Sequence, residues 1–168
     1  KKLTINPDVD DEFIDYDLTL SNYLKEIIKS FQNISKKKFF FQDSQNTNPL
    51  KFRRSIEIIY GLRNFIGNAN KFAKEKVFIT VNSDSEFTEV IIEDDGEGFP
   101  KDILDKIGEP YIRTKENNYN KKSGLGLGIF IGGTLLERNY AKVICRNSIT
   151  RNGAEVIIKW KNADLKGI

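Results

Sequence analysis

Apolar residues recur at helical spacing in two segments of the chain. Residues 18–34 predict an amphipathic helix, because one side of it collects Leu20, Leu24, Ile27, Ile28 and Phe31. Residues 52–74 predict a longer helix, since at about 100° per residue one side of it collects Ile58, Ile59, Leu62, Phe65, Ile66, Ala69 and Ala73. Both apolar sides are expected to face the core.

Short β-prone runs between polar turns predict the strands. The predicted strands comprise residues 39–41, 77–81, 90–93, 143–146 and 155–160. A polar turn at 82–86 joins the second and third of them into a hairpin, and Asn152-Gly153 is a turn signal between the last two. The chain therefore mixes helices with strands.

Three further segments complete the predicted organisation. Pro100 opens a short helix at 101–107, and the glycine-rich segment 124–138 is predicted to be helical. Between them, residues 108–123 are polar and rich in asparagine, which is typical of a mobile surface loop that could act as a lid. Residues 1–15 are acidic and loosely patterned, as expected for a linker or lead-in.

The composition limits the class of protein. The 168 residues are 39% apolar and 30% charged, which suits one domain with its own core, assigned to residues 16–168. A net charge of +3 is spread along the chain, without the basic stripe of a nucleic-acid binder, so no direct nucleic-acid partner is expected. The longest uncharged apolar run has thirteen residues, whereas a membrane helix needs about twenty. Because the chain begins without methionine, we expect it to be an excised domain of a longer protein.

Cysteine and histidine counts exclude several chemistries. The single cysteine, Cys145, excludes an internal disulfide framework and indicates a reducing compartment. Its alternation with Val143 in a predicted strand favours a small core residue over a sensor thiol. Histidine is absent, which excludes catalysis or metal binding by histidines of this chain.

Two asparagines on the long helix are unusual for a solvated face. Asn64, Asn68 and Lys71 are predicted to lie opposite the core side, where Glu, Lys or Ala would favour the helix more. An asparagine pair alone is better explained as part of a solvated face. The alternative is a ligand-binding face.

An acidic, glycine-rich turn follows the strand at 90–93. Alone, Asp94-x-Gly96-x-Gly98 is a common turn. A carboxylate fixed at a strand end can accept a hydrogen bond from an exocyclic amine, and glycines let a flat ring approach the backbone. Adenine offers that amine, whereas guanine offers a carbonyl oxygen that would leave the charge unpaired.

A second glycine cluster begins the predicted helix at 124–138. Backbone N–H groups of a glycine-rich helix start can converge on phosphate oxygens. The segment lacks the Gly-Lys-Ser/Thr of a Walker loop and the preceding strand of a Rossmann fingerprint. The alternative is a glycine-rich helix packed closely on a sheet. The segment reads Ser123-Gly124-Leu125-Gly126-Leu127-Gly128.

Bound phosphates would require a divalent cation. The amide oxygens of Asn64 and Asn68 suit Mg²⁺ that phosphate already holds, and Lys71 could reach a phosphate. The basic residues of the predicted lid could close over a triphosphate, although at least one of them is expected to be merely solvated. These residues are Arg113, Lys115, Lys121 and Lys122.

Four motifs in this order resemble the ATP-binding domain of sensor histidine kinases, within the GHKL ATPase superfamily. The motifs are Leu62-x-Asn64-Phe65-x-x-Asn68-Ala69-x-Lys71-Phe72, Asp94-x-Gly96-x-Gly98, Glu109-Pro110-Tyr111-x-x-Thr114-Lys115 and Gly124-Leu125-Gly126-Leu127-Gly128. The resemblance covers about residues 18–160. It implies the Bergerat fold, a two-layer α/β sandwich in which a mixed, mainly antiparallel sheet packs on helices.

The resemblance also implies site residues. Asn68 would coordinate Mg²⁺ through the ATP phosphates with Asn64 assisting, and Asp94 would bind the adenine amine. Lys71 and Phe72 would contact phosphate and adenine. The remaining ATP-binding residues would be Gly96, Gly98, Tyr111, Arg113, Thr114, Lys115, Ser123, Gly124, Leu125, Gly126, Leu127 and Gly128.

Position 64 distinguishes branches of the superfamily. In gyrases, MutL proteins and heat-shock chaperones the matching residue is a glutamate that activates water. An amide cannot act as a general base at neutral pH, so Asn64 favours transfer to a presented side chain over hydrolysis. No catalytic residue is assigned in this chain, since the accepting histidine and its acid-base neighbour would lie outside it.

The C-terminal segments most resemble the redox-responsive RegB/PrrB group. They include Thr134-Leu135-Leu136-Glu137-Arg138 and Gly153-Ala154-Glu155-Val156 with Trp160. A departure is Lys122, where many family members have glycine. Redox sensing does not transfer to this chain, because in that group the signal enters through regions outside this domain.

The resemblance implies an ATP-dependent histidine kinase domain of a bacterial two-component system. Its partners would be the dimerisation helices that carry the histidine, and a response regulator downstream. The whole protein would be a membrane-anchored homodimer with this domain in the cytoplasm. The alternatives are an ATP-sensing module without phosphotransfer and a serine kinase of the anti-sigma type.

Overall fold

The computed structural model describes residues 17–44, 51–53, 55–106 and 125–166. The strands are β1 (Asp17–Thr19), β2 (Lys38–Asp43), β3 (Lys51–Arg53), β4 (Lys76–Ser83), β5 (Phe87–Asp94), β6 (Lys142–Asn147) and β7 (Ala154–Lys161). The helices are α1 (Leu20–Gln32), α2 (Ile56–Phe72), α3 (Lys101–Leu104), α4 (Leu125–Arg138) and α5 (Asn162–Lys166).

Five strands form a mixed sheet in the order β2-β4-β5-β7-β6. β2 runs parallel to β4, and the other neighbouring pairs are antiparallel. β1 and β3 pair separately as a two-stranded ribbon. With α1, α2 and α4 packed against the sheet, this architecture confirms the predicted α/β sandwich with a mainly antiparallel sheet.

The sheet buries one face, as the alternation of apolar residues along its strands requires. On β4, Val77, Ile79 and Val81 are at most 1% exposed, and the residues between them are only half-buried. On β7, Ile158 and Trp160 are buried in the same way. The core lies between this face and the helices.

Side-chain caps set the starts of the two helices that the apolar pattern predicts. Thr19 Oγ1 accepts a hydrogen bond from Asn22 N (3.3 Å) at the start of α1, and Ser55 Oγ accepts one from Ile58 N (3.3 Å) at the start of α2. α2 therefore begins four residues later than predicted from the pattern, because residues 51–53 pair with β1 instead.

Glycines bring α2 and α4 close together. A Cβ added at Gly61 of α2 would lie 2.6 Å from Leu136 Cγ, and one added at Gly132 of α4 would lie 3.0 Å from the Phe65 ring. Residues without a side chain are therefore required on both helices where they cross.

The position of α4 corrects one prediction from the sequence. Helical periodicity places Asn64 and Asn68 opposite the core side, on a face expected to be open to solvent. Both are instead half-buried, because α4 covers that side of α2. α2 is thus packed on two sides, against the sheet and against α4.

Other boundaries differ by a few residues. β4 and β5 are each longer than predicted and leave a turn at 84–86, and α3 ends at Leu104. The predicted linker at 1–15 and the predicted lid at 108–123 lie outside the described residues. Within the described ranges, none of the helices has the length and apolar character needed to cross a membrane.

Gly61→Ala should lower the free energy of unfolding by about 1–3 kcal/mol, because the new methyl group would overlap the fully buried Leu136. Gly133→Ala is the matched control on α4. Beyond its own helix, no atom of the described residues lies within 4 Å of its added Cβ, so the better helix former should raise stability by up to about 1 kcal/mol. Urea unfolding of both variants tests the packing, and equal effects would contradict it.

Candidate functional site

Asp94 is a buried carboxylate at the end of the central strand β5. It is 2% exposed and pairs across the sheet with Val77. Its Oδ1 accepts hydrogen bonds from Gly96 N (2.8 Å) and Ala154 N (3.3 Å). Both backbone donors bind the same oxygen, so Oδ2 carries the remaining acceptor capacity.

Burial raises the pKa of Asp94 above its ordinary value. The hydrogen bonds from Gly96 and Ala154 oppose this rise, and the neighbouring charge of Asp95 adds to it. Burial of the ionised carboxylate lowers the stability of the folded state. A carboxylate kept in such an environment is a strong candidate for ligand binding.

The turn after Asp94 lies against the end of α2. A Cβ added at Gly96 would lie 3.1 Å from the Phe72 carbonyl carbon and closer still to its oxygen. The predicted adenine-binding turn and the predicted phosphate-binding helix therefore meet at backbone contact distance. Only glycine fits at this position.

Asn147 of β6 holds the far end of the same turn. Its Oδ1 accepts a hydrogen bond from Phe99 N (2.6 Å), and its Nδ2 donates one to Phe99 O (3.1 Å). Gly98, directly before Phe99, has a φ of 80°, which favours glycine. The turn is thus fixed by β6 as well as by α2.

Asp95 points away from Asp94 and stabilises the α2–β4 connection. Its Oδ1 accepts hydrogen bonds from the backbone N–H groups of Lys74 (2.8 Å), Glu75 (3.0 Å) and Lys76 (3.1 Å). Burial disfavours its charge, but these hydrogen bonds outweigh that effect and lower the pKa of Asp95. The two adjacent carboxylates therefore have opposite environments.

Asn64 and Asn68 lie beside the first turn of α4. A Cβ added at Gly128 would be 3.4 Å from both amide atoms of Asn68 and 3.8 Å from Asn64 Oδ1. Asn64 Nδ2 donates a hydrogen bond to Tyr60 O (2.8 Å), which leaves its Oδ1 on the side of α4. The start of α4 and the two asparagines are therefore in contact.

Asn68 Nδ2 is buried and has no hydrogen-bond partner among the described residues. A buried polar atom without a partner costs free energy and is typical of a site that meets a ligand. The asparagines also line a surface cavity of about 350 Å³, so they are accessible from one side.

Residues 54–164 match the family model described as histidine kinase-, DNA gyrase B- and HSP90-like ATPases. The chain belongs to this ATPase family. The match covers most of the described structure and includes α2, the Asp94 turn and α4. It confirms the superfamily that the four motifs indicate.

Histidine kinases are among the sequence relatives of this ATPase domain. Sensor histidine kinase RegB of Cereibacter sphaeroides is 40% identical over 105 residues, which are 60% of this chain and 22% of the relative. Histidine protein kinase SaeS of Staphylococcus aureus is 29% identical over 103 residues, which are 59% of this chain and 29% of the relative. The similarity to RegB confirms the predicted subgroup resemblance. The chain spans less than a third of either relative.

Solved histidine kinase structures share the fold. The catalytic domain of ThkA superposes with a TM-score of 0.69 at 22% identity, covering 87% of this chain and 95% of that one. Full-length ShkA in complex with AMPPNP gives a TM-score of 0.69 at 19% identity, covering 86% of this chain and 30% of that one. These values support the Bergerat fold inferred from the motifs.

The structure brings together part of the predicted nucleotide site of the ATPase domain. Lys71 is exposed at the end of α2, with its Nζ 5.3 Å from the centre of the half-buried Phe72 ring. Leu125 and Gly126 begin α4, and Leu127 is 57% exposed on it. The other predicted site residues lie outside the described residues, namely Tyr111, Arg113, Thr114, Lys115, Lys121, Lys122, Ser123 and Gly124.

Several residues that shape the site of the ATPase domain were missed by sequence reasoning. Asn147 supports the turn through its hydrogen bonds to Phe99, and Asp95 fixes the adjoining α2–β4 connection. Gly153 contacts Asp94 from the turn before β7, and Ala154 contacts it from the start of β7. The hairpin gave two local signals, the Asn152-Gly153 turn and the family-like segment Gly153-Ala154-Glu155-Val156, and neither reveals what the hairpin contacts.

Cys145 is half-buried against the core of the ATPase domain. Burial, with a smaller contribution from the charge of Glu137, raises the pKa of its thiol to about 12. A thiol with this pKa stays protonated and weakly reactive at neutral pH. This environment agrees with the core interpretation of Cys145 and not with a sensor thiol.

Asp95→Asn should lower the free energy of unfolding by about 1–2 kcal/mol at pH 7, because a neutral amide replaces a charged acceptor of three backbone hydrogen bonds. The lowered pKa means that the Asp95 contribution is full above the unfolded pKa of about 4 and is lost as the pH falls through the folded pKa. Urea unfolding at pH 7 and at successively lower pH should therefore give a difference in unfolding free energy from the parent that shrinks as the pH falls. A difference independent of pH would contradict this role.

Proposed function

We propose that this domain binds Mg-ATP and presents its γ-phosphoryl group to a histidine outside this chain. The observation that carries the proposal is the arrangement around α2. Gly96 packs against the end of α2 at Phe72, and Gly128 lies against Asn68 one turn earlier. The base-binding and phosphate-binding motifs thus lie along one helix, within the span of a single nucleotide.

Asp94 would receive the exocyclic amine of adenine. Its Oδ1 already accepts two backbone hydrogen bonds, which leaves Oδ2 as the acceptor for a ligand. A carboxylate of this kind pairs with an amine donor and repels a carbonyl oxygen, which favours adenine over guanine. The glycine at position 96 leaves room for a planar base beside the backbone.

Asn64 and Asn68 fit a magnesium ion held mainly by phosphate. Mg²⁺ at nucleotide sites takes few protein ligands, and neutral amide oxygens are among them. The described part of the chain has no cluster of three or more His, Cys, Asp or Glu side chains that could hold the ion without nucleotide. The buried Nδ2 of Asn68 is a donor suited to a phosphate oxygen. A bound magnesium ion would neutralise phosphate charge, and Asn64 and Asn68 would hold it.

Residue 64 supports phosphoryl transfer over hydrolysis. An amide cannot take a proton from water at neutral pH, and Asn64 already donates its N–H to Tyr60 O. The chain also has no histidine of its own to phosphorylate. Its contribution to catalysis would therefore be positioning and charge neutralisation, as in other phosphoryl transfers.

The partners follow from the same proposal. The histidine would belong to dimerisation helices of a longer protein, and a response regulator would receive the phosphoryl group. We place that protein in the membrane as a homodimer, with this domain on the cytoplasmic side. The kinase names of the relatives and the small share of their length that this chain spans support a histidine elsewhere on a longer protein.

Asp94→Asn should weaken Mg-ATP binding by about 10- to 100-fold, because an amide N–H replaces the acceptor that adenine requires. The variant should remain as stable as the parent or become more stable. The raised pKa of Asp94 means that its ionised form costs stability as the pH rises through the folded pKa, and asparagine removes that cost. Calorimetric titration and thermal unfolding at pH 7 measure the two effects.

Asp95→Asn is the matched control, since it makes the same change one residue along. It should lose stability and keep the affinity for Mg-ATP within about threefold of the parent. Unchanged affinity in Asp94→Asn would disprove the adenine role.

Transfer to histidine should be visible when the domain is mixed with labelled ATP and the histidine-bearing segment of its full-length protein. Phosphohistidine is labile in acid, whereas phosphoserine is stable. Acid-labile label on the segment supports the kinase. Absence of label with intact ATP binding would indicate a nucleotide-sensing module, and acid-stable label would indicate a serine kinase.

A further inference from the structure

Gly153, in the turn between β6 and β7, lies directly against Asp94. A Cβ added at Gly153 would be 2.6 Å from the carbonyl carbon of Asp94 and closer still to its carbonyl oxygen and Oδ1. Gly153 is buried, and its φ is not among the positive values of the described residues. The requirement for glycine here is therefore space for Asp94 and not an unusual backbone conformation.

The residue after Gly153 completes the contact. Ala154 N donates a hydrogen bond to Asp94 Oδ1 (3.3 Å), and Gly96 N donates to the same oxygen (2.8 Å). Oδ1 is thus held between its own turn and the β6–β7 hairpin. Since the two oxygens belong to one rigid carboxylate, fixing Oδ1 also fixes the direction of Oδ2.

Hydrogen bonds hold the β6–β7 hairpin close to Asp94. Ser148 N donates to Gly153 O (2.8 Å), and Ser148 Oγ donates to Glu93 Oε1 (2.7 Å) on the residue before Asp94. Both Ser148 and Glu93 are less than 10% exposed. A side chain at position 153 must therefore displace Asp94, backbone and carboxylate together, or disrupt these hydrogen bonds of the hairpin.

We propose that Gly153 is a positioning residue that sets the discrimination between purine bases by fixing the direction of Asp94 Oδ2. The inference rests on the proposed function, in which Asp94 receives the adenine amine. A displaced carboxylate would lose its alignment with that amine. It would also no longer repel the carbonyl oxygen of a base such as guanine. The phosphate contacts along α2 and α4 would remain.

The test compares ATP with inosine triphosphate, which carries a carbonyl oxygen in place of the amine. Calorimetric titration of the 168-residue chain with Mg²⁺ and each nucleotide gives the affinity ratio, which is the affinity for ATP divided by that for inosine triphosphate. The parent should prefer ATP by at least about tenfold. In Gly153→Ala the ATP affinity should fall by about tenfold or more, and the ratio should fall towards one.

Gly61→Ala is the matched control for general destabilisation. Its added Cβ would lie 2.6 Å from Leu136 Cγ, an overlap with a core side chain that does not involve Asp94. It should lose stability and keep the parent's ratio. A ratio that also falls in Gly61→Ala would assign the effect to loss of stability and overturn the positioning role.

Ser148→Ala is a milder second variant that decides the question if Gly153→Ala does not fold. It removes the hydrogen bond to Glu93 and loosens the hairpin without adding any atoms beside Asp94. The affinity ratio of this variant should therefore also fall. Ratios within about twofold of the parent in whichever of these variants fold would overturn the inference.

Asp94→Asn separates this inference from the function on which it rests. If Asp94→Asn loses the preference for ATP over inosine triphosphate while Gly153→Ala and Ser148→Ala keep the parent's ratio, the positioning role alone is rejected. An unchanged ratio in Asp94→Asn, or a parent that does not discriminate, would reject the adenine role and the positioning role together.

Discussion

The cost of keeping the Asp94 carboxylate out of water is the constraint on which the rest of the site depends. Desolvation raises its pKa, and two backbone N–H groups from different segments offset part of that cost. Those donors are available only if the Gly96 turn and the β6–β7 hairpin both approach closely. The glycines at 96 and 153 and the Asn147 contacts serve that approach.

Local pattern predicts the elements of this fold well where one buried side dominates. α1 and the sheet strands follow periods of 3.6 and 2, and their predicted bounds differ from the structure by a few residues. α2 is harder, because it is buried on two sides and the second side is made of Asn64, Asn68 and Gly61. Polar and glycine residues carry no hydrophobic signal, so the contact with α4 could not be predicted from periodicity. The ribbon of β1 and β3 was missed because three-residue strands give too short a pattern.

The candidate site is predictable from the sequence only in its motifs. Asp94, Gly96, Asn64 and Asn68 stand out through residue type and spacing, and the described structure brings their segments together. The hairpin that supports Asp94 is about 60 residues away in the sequence, and its contact is made by a backbone N–H and by the absence of a side chain. The sequence predicts the hairpin and its family-like segment, but neither of these two features can be recognised in the sequence as a contact with Asp94.

The two adjacent aspartates explain how stability and binding are divided in this domain. Asp95 is exposed enough to be hydrated and accepts three backbone hydrogen bonds, so its charge stabilises the fold. Asp94 is buried, and no backbone N–H of the described residues donates to its Oδ2, so its charge costs stability. Under the proposed function, the adenine amine would supply the missing donor. A hydrogen bond from an exocyclic amine would offset part of the desolvation free energy of the Asp94 carboxylate. The burial that lowers the stability of the fold would therefore increase the preference for adenine over guanine. This selection requires that the Gly96 turn and the β6–β7 hairpin hold the carboxylate rigidly. A mobile carboxylate would turn towards water and regain its hydration, so ligand binding would return no free energy.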